Sequence, residues 1–101
     1  MAVIVSFDLP GASLEQVYEA EAKARRRGEE RGGTPYDGCL FFAVTRSSDG
    51  VATVSAWRTE HDFRRSLEEM LGPDLEAVGL RVGRTVVSEA VSMAIPGAMP
   101  R

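Results

Sequence analysis

The stretch DGVATVSAWRTEHDFRRSLEEMLGP, Asp49 to Pro73, decides the fold. Asp49-Gly50 is a hairpin turn signal. Val51 to Trp57 is an apolar, β-branched run that ends on the only tryptophan and reads as a strand. Thr59 is a good N-cap, Asp62 stands at N3 and Glu60 in the first turn. Both carboxylates suit the positive end of a helix dipole. Phe63, Leu67, Met70 and Leu71 then fall on one helical stripe. Gly72-Pro73 predicts the end of that helix.

Upstream, Cys39 to Thr45 is the first arm of the hairpin, around Arg46-Ser-Ser-Asp-Gly50. A loop of two or four residues pairs even positions of the first arm with odd positions of the second. One face then carries Leu40, Phe42 and Val44 with Val51, Thr53, Ser55 and Trp57. The other carries Cys39, Phe41 and Ala43 with Ala52, Val54 and Ala56. Both faces are largely apolar, whereas a sheet wet on one side alternates apolar with charged residues. Two helices can cover only one face. The other calls for a partner, and a second copy of the same sheet is the simplest one.

Ala2 to Asp8 is apolar and β-branched and precedes the turn LPGAS, which makes it a strand. Ser13 with Gln16 forms a capping box. It opens a helix from Leu14 to about Arg27, with an apolar stripe of Leu14, Val17, Tyr18, Ala20, Ala22 and Ala24. Arg25 to Gly33 reads as a solvated helix end and loop; the sharper reading is an arginine patch for an anion, which Glu29 and Glu30 would neutralise. After Pro73, Asp74 caps a short turn with Leu75 and Val78, ending at Gly79. A last strand centres on Thr85 to Val91. The order β-α-β-β-α-β predicts an α+β, ferredoxin-like domain with an antiparallel sheet, spanning 1–93, and an irregular tail, 94–101.

Composition narrows the class. At 101 residues and a net charge of −3, the chain is one small domain with no field that draws nucleic acid or an anionic membrane. No apolar run reaches membrane-spanning length and the N-terminus lacks a basic leader, so the cytoplasm is the expected compartment. The single cysteine, Cys39, gives no disulfide framework or metal cluster and reads as a small core residue. No P-loop, dinucleotide loop, serine-hydrolase motif or basic-aromatic strand platform is present. Neither a cofactor site nor a metal site is expected.

The chain resembles the dimeric α/β-barrel superfamily, which includes antibiotic-biosynthesis monooxygenase-like proteins, and within it small bacterial proteins of mostly unassigned role. The matching residues are Asp8-Leu9-Pro10-Gly11 with Leu14 to Tyr18, Asp37 to Phe41, and Asp49-Gly50. They continue through Val54 to Glu60, Phe63, Leu71 to Leu75, and Gly79. The resemblance implies two subunits joined sheet to sheet as a homodimer, with a pocket between sheet and helices. Two departures stand out. Relatives often carry His at the position of Phe42 and near Ser92 to Ile95. The superfamily's haem-degrading and quinone-forming oxygenases rely on an Asn near the tryptophan, and this chain has no Asn.

Four pocket candidates follow. Trp57 could wall an aromatic-ligand pocket or donate its indole N–H, against the plainer role of a core or interface anchor. Phe42 and Tyr18 would line the same pocket, with Tyr18 otherwise a packing residue. His61, the only histidine, could act as a base but stands as an ordinary first-turn residue. Two functions remain open at this stage. One is a cofactor-independent, monooxygenase-like or cyclase/isomerase-like enzyme for a small aromatic or polyketide-like compound. The other is a non-catalytic dimer that binds a small ligand or a protein partner.

Overall fold

The computed structural model describes residues 1–94. Four strands form one antiparallel sheet in the order β2-β3-β1-β4: β1 (Val3–Pro10), β2 (Cys39–Ser47), β3 (Gly50–Trp57) and β4 (Thr85–Glu89). Helix α1 (Leu14–Glu30) joins β1 to β2. A second helical segment joins β3 to β4 and consists of α2 (Glu60–Ser66), a π turn (Leu67–Leu71) and α3 (Gly72–Ala77). This is the α+β, ferredoxin-like arrangement that the element order predicts. Most of the expected tail lies outside the described residues. Among the described residues no helix is long and apolar enough to cross a membrane.

Alternation explains the sheet. On β1, Val3, Val5, Phe7 and Leu9 are buried; on β3, Val51, Thr53, Ser55 and Trp57 are buried. All eight point to the helices, since Val3 faces Trp57, Val5 faces Ser55, Phe7 faces Thr53 and Leu9 faces Val51 across the ladder. The hairpin closes with the two residues Ser48 and Asp49, because Ser47 pairs with Gly50. A Cβ on Gly50 would approach the Leu9 carbonyl oxygen to 2.5 Å, so glycine lets β1 and the turn pass closely. The predicted even-with-odd pairing holds from Arg46↔Val51 to Phe42↔Ser55.

It fails at Cys39. A bulge at Leu40 slips the parity, so that Cys39, not Leu40, stands opposite Trp57 on the helix face. Gly38 precedes it at φ 83°, where a side chain would run into Asp62. The other face of the sheet carries Ile4, Ser6, Ala43, Val54 and Val86, all still partly or wholly accessible in the protomer.

The helix face of α1 is narrower than its sequence suggests. Its buried residues are Val17, Ala20, Ala24 and Gly28, a spacing of three and four that forms one straight row. Tyr18 lies one position off that row and is 57% exposed. Ala22 is exposed as well. The capping box at Ser13 and Gln16 forms as expected. The helix runs past Arg27 to Glu30 because the following loop folds back over Gly28, where a Cβ would meet Gly33 and Thr34 backbone at 3.0 Å. Arg27 is ion-paired rather than free. Its Nη2 and Nε donate to the two oxygens of Asp74, at 2.7 and 3.2 Å, and the Asp74 side chain is buried.

That ion pair also explains why Gly72-Pro73 does not end the helix. Asp74 and Leu75 are both buried against the rest of the molecule, which favours continuing the chain in helical form. A proline inside a regular α-helix lacks its N–H and its ring collides with a carbonyl one turn back. Here the Gly72 N–H reaches the Leu67 carbonyl in an i→i−5 bond, and the widened π turn admits Pro73 in the first turn of α3.

Candidate functional site

Trp57 is core. Only 2% of it is accessible, its ring meets Phe63 edge-on at 5.9 Å, and its indole N–H donates to Ser55 Oγ at 2.9 Å. His61 sits exposed in the first turn of α2 and does not line the groove of the other two candidates. Phe42 and Tyr18 do share a groove. They line an open groove of about 520 Å³ between the outer flank of α1 and edge strand β2, together with Glu21, Arg25, Tyr36 and Cys39. This volume lies within the range of small-molecule sites.

The groove has layers that follow from the ladder. Cys39, Phe42 and Val44 on β2 form the outer row, and their cross-strand partners Trp57, Ser55 and Thr53 form the buried row behind. Trp57 is therefore the backing of the groove wall. Thr53 Oγ1 is the one buried side-chain polar atom among the described residues with no hydrogen-bond partner.

Tyr36 comes from the loop between α1 and β2, and that loop is held on several sides. Ser66 Oγ donates to the Pro35 carbonyl, an Arg65 guanidinium N–H donates to the Asp37 carbonyl, and the Cys39 N–H donates to the Tyr36 carbonyl. The Tyr36 ring stands edge-on to Phe42 at 5.5 Å. The Arg25 guanidinium lies 5.5 Å from the centre of the same ring, close enough for a cation–π contact. Arg25, Tyr36 and Phe42 thus form a stack from the polar end of the groove to its apolar floor.

Electrostatics separates the two ends. Burial pushes the Glu21 carboxyl up from its ordinary range, against the opposing pull of the Arg25 charge and the Tyr36 hydroxyl. Burial, reinforced by the Glu21 charge, pushes the Tyr36 phenol up as well. Burial likewise raises the Cys39 thiol. Tyr36 and Cys39 are therefore protonated at neutral pH, and neither is an activated nucleophile.

Glu21, Arg25 and Tyr36 were not singled out by sequence patterning as pocket residues. A signal was available: Tyr18, Glu21 and Arg25 recur at i, i+3 and i+7, one flank of α1 beside its buried row. Tyr36 carried none, since its position depends on how the loop folds back over Gly28.

A larger groove of about 570 Å³ lies between α1 and α3, lined by Lys23, Arg26, Arg27, Glu30, Arg31 and Asp74. It resembles the arginine patch, but its cations are largely engaged. Arg27 is tied to Asp74, Lys23 is 3.8 Å from Glu19, and Arg31 reaches the Glu69 carbonyl. It has no aromatic wall and reads as the solvated joint between two helices. Among the described residues no cluster of His, Cys, Asp and Glu could hold a metal ion.

Solved structures place this architecture. A candidate antibiotic biosynthesis monooxygenase from Deinococcus radiodurans is similar at 17% identity with a TM-score of 0.51, over 94% of this chain and 96% of that one. SnoaB, a cofactor-independent oxygenase from Streptomyces nogalater, is similar at 18% identity with a TM-score of 0.53, over 91% and 93%. The chain has the ferredoxin-like fold of the antibiotic biosynthesis monooxygenase-like proteins. An asparagine-to-alanine variant of SnoaB matches at 13% identity with the same TM-score of 0.53. No family model matches the chain, and no curated protein matches it in sequence. At these identities the fold is shared over nearly the whole chain, while the reaction has to be argued from this groove.

Proposed function

We propose that the protein works as a homodimer that binds a small, flat aromatic or polyketide-like compound in the groove beside Tyr18, Tyr36 and Phe42. The observation that carries this is the groove itself: an aromatic wall, held by a loop anchored to two helices, with one charged polar end. Flat rings gain from burial against such a wall and from edge-on or offset aromatic contact. Trp57 supports the wall from behind.

Cofactor-independent oxygenation is the activity this reading favours, by likeness to SnoaB. In such chemistry the substrate supplies the electrons. An acidic ring CH₂ loses a proton, the carbanion adds O₂, and the resulting hydroperoxide loses water to leave a carbonyl, so that R₂CH₂ and O₂ become R₂C=O and H₂O. The chain's residues would bind and orient the ring and hold the proton. A second reading, a ligand-binding dimer without catalysis, is favoured by one observation: Tyr36 is engaged in packing, its ring under Arg25 and edge-on to Phe42.

Calorimetric titration with 1,8-dihydroxyanthrone, alongside an oxygen electrode, separates the two. Saturable binding is expected, with Tyr18→Ala and Phe42→Ala each weakening it about tenfold, ~1.4 kcal/mol. Oxygen uptake above the autoxidation rate identifies the oxygenase. Binding without uptake leaves the non-catalytic dimer, and absence of binding defeats both.

A further inference from the structure

Glu21 is a half-buried carboxylate with no ion-pair partner within 4 Å among the described residues; it lines the groove, with the Tyr36 hydroxyl as a polar neighbour. Desolvation of such a group opposes its charged form and so costs stability. Arg25, one helical turn along, lines the same groove and also lacks an ion pair, its guanidinium resting over Tyr36 instead. The polar end of the groove thus offers an acceptor and a donor, each with hydrogen-bonding capacity beyond its contact with Tyr36, on one flank of α1.

That pairing constrains what fits. A carboxylate ligand is drawn to Arg25 and repelled by Glu21. An ammonium ligand meets the reverse. A neutral ring hydroxyl satisfies both, because its O–H can donate to Glu21 while its oxygen accepts from Arg25. We propose that Glu21 and Arg25 select ring-bound hydroxyl groups, with the Glu21 carboxylate accepting the hydroxyl proton in a charge-assisted hydrogen bond and Arg25 stabilising the negative charge that develops on the oxygen. This inference rests on the reading of the groove as an aromatic-ligand site and specifies the substrate as a phenol or enol. A site built to hydrogen-bond a ligand hydroxyl rejects the analogue lacking it, since its own buried groups are then left unpaired.

The groups that face Glu21 are Tyr18 and Arg25 on its own helix, Tyr36 on the loop and Cys39 on β2. Burial raises Tyr36 and Cys39 above their ordinary values, so neither changes charge as pH falls from neutrality. The proton taken up as pH falls from neutrality therefore belongs to Glu21. The folded carboxyl holds its proton more tightly than the unfolded one. The contribution of Glu21 to stability is therefore greatest at acid pH and falls as pH rises from the unfolded range through the folded one. Glu21→Gln removes that slope and is expected to raise the melting temperature at pH 7, with the difference vanishing at acid pH.

The test is a titration with three probes, 1-naphthol, 1-methoxynaphthalene and 1-naphthoic acid, at pH 7 and at successively lower pH. The wild type is expected to bind 1-naphthol about tenfold or more tighter than the other two, as a charge-assisted hydrogen bond implies. The preference over the methyl ether falls as Glu21 protonates. In Glu21→Gln it drops to about threefold or less, independent of pH. Equal binding of naphthol and its ether by the wild type overturns the inference but leaves the aromatic groove standing. Binding of none of the probes overturns the groove reading as well.

Discussion

Trp57→Ala is expected to cost about 3–5 kcal/mol in the free energy of unfolding, read from denaturant melts, as for other large aromatic core truncations. Trp57 is 2% accessible and packs on Phe63, which in turn meets Phe7 at 6.5 Å. Truncation leaves a cavity between sheet and α2 and frees the Ser55 hydroxyl of its indole donor. A domain's whole stability is about 5–15 kcal/mol, so the variant sits near the edge of folding. Trp57→Phe keeps an aromatic contact with Phe63 and is expected to cost about 1–2 kcal/mol, the lost hydrogen bond and some packing. Lost ligand binding in Trp57→Ala would thus report collapse of the groove backing. A cost below about 1 kcal/mol for Trp57→Ala would show that the indole lines an open pocket, contrary to the structure.

Val54→Asp is expected to convert a homodimer into a monomer with the fold retained. Val54 lies on central strand β3, on the sheet face opposite the helices, paired with Ser6 and Ala43 on its two neighbours. In the protomer this position is partly accessible, so the carboxylate is solvated and the fold tolerates it. Between two apposed sheets the same charge would be buried without a partner, at several kcal/mol. Light scattering should give the mass of two chains for the wild type and of one for the variant, with unchanged circular dichroism. A monomeric wild type at micromolar concentration would end the dimer proposal.

The architecture was largely legible in the residues. Period-two burial on β1 and β3, the capping box at Ser13 and the Thr59 cap are local signals, and the structure keeps each of them. What the sequence hid was non-local. The bulge at Leu40 moved Cys39 to the helix face, a slip that alternation cannot register. Gly72-Pro73 is a stop signal locally, but burial of Leu75 and the Arg27–Asp74 pair carry the helix through it. The candidate site divides along the same line. Phe42 and Tyr18 come together, Trp57 stands behind them, and His61 lies elsewhere. Tyr18 reaches the groove because it falls just off the buried row of α1. Tyr36, Glu21 and Arg25 become a cluster only once the loop after Gly28 has folded back.

The groove between α1 and β2 is the proposed ligand site. Amide chemical-shift mapping of the isotope-labelled protein during titration with 1-naphthol tests it most directly. Saturable shifts are expected at Tyr18, Glu21, Arg25, Tyr36 and Phe42, with the groove around Arg26 and Arg31 and the opposite sheet face around Ser6 and Val54 unmoved. Shifts centred on either of those surfaces, or none at saturating naphthol, would contradict it.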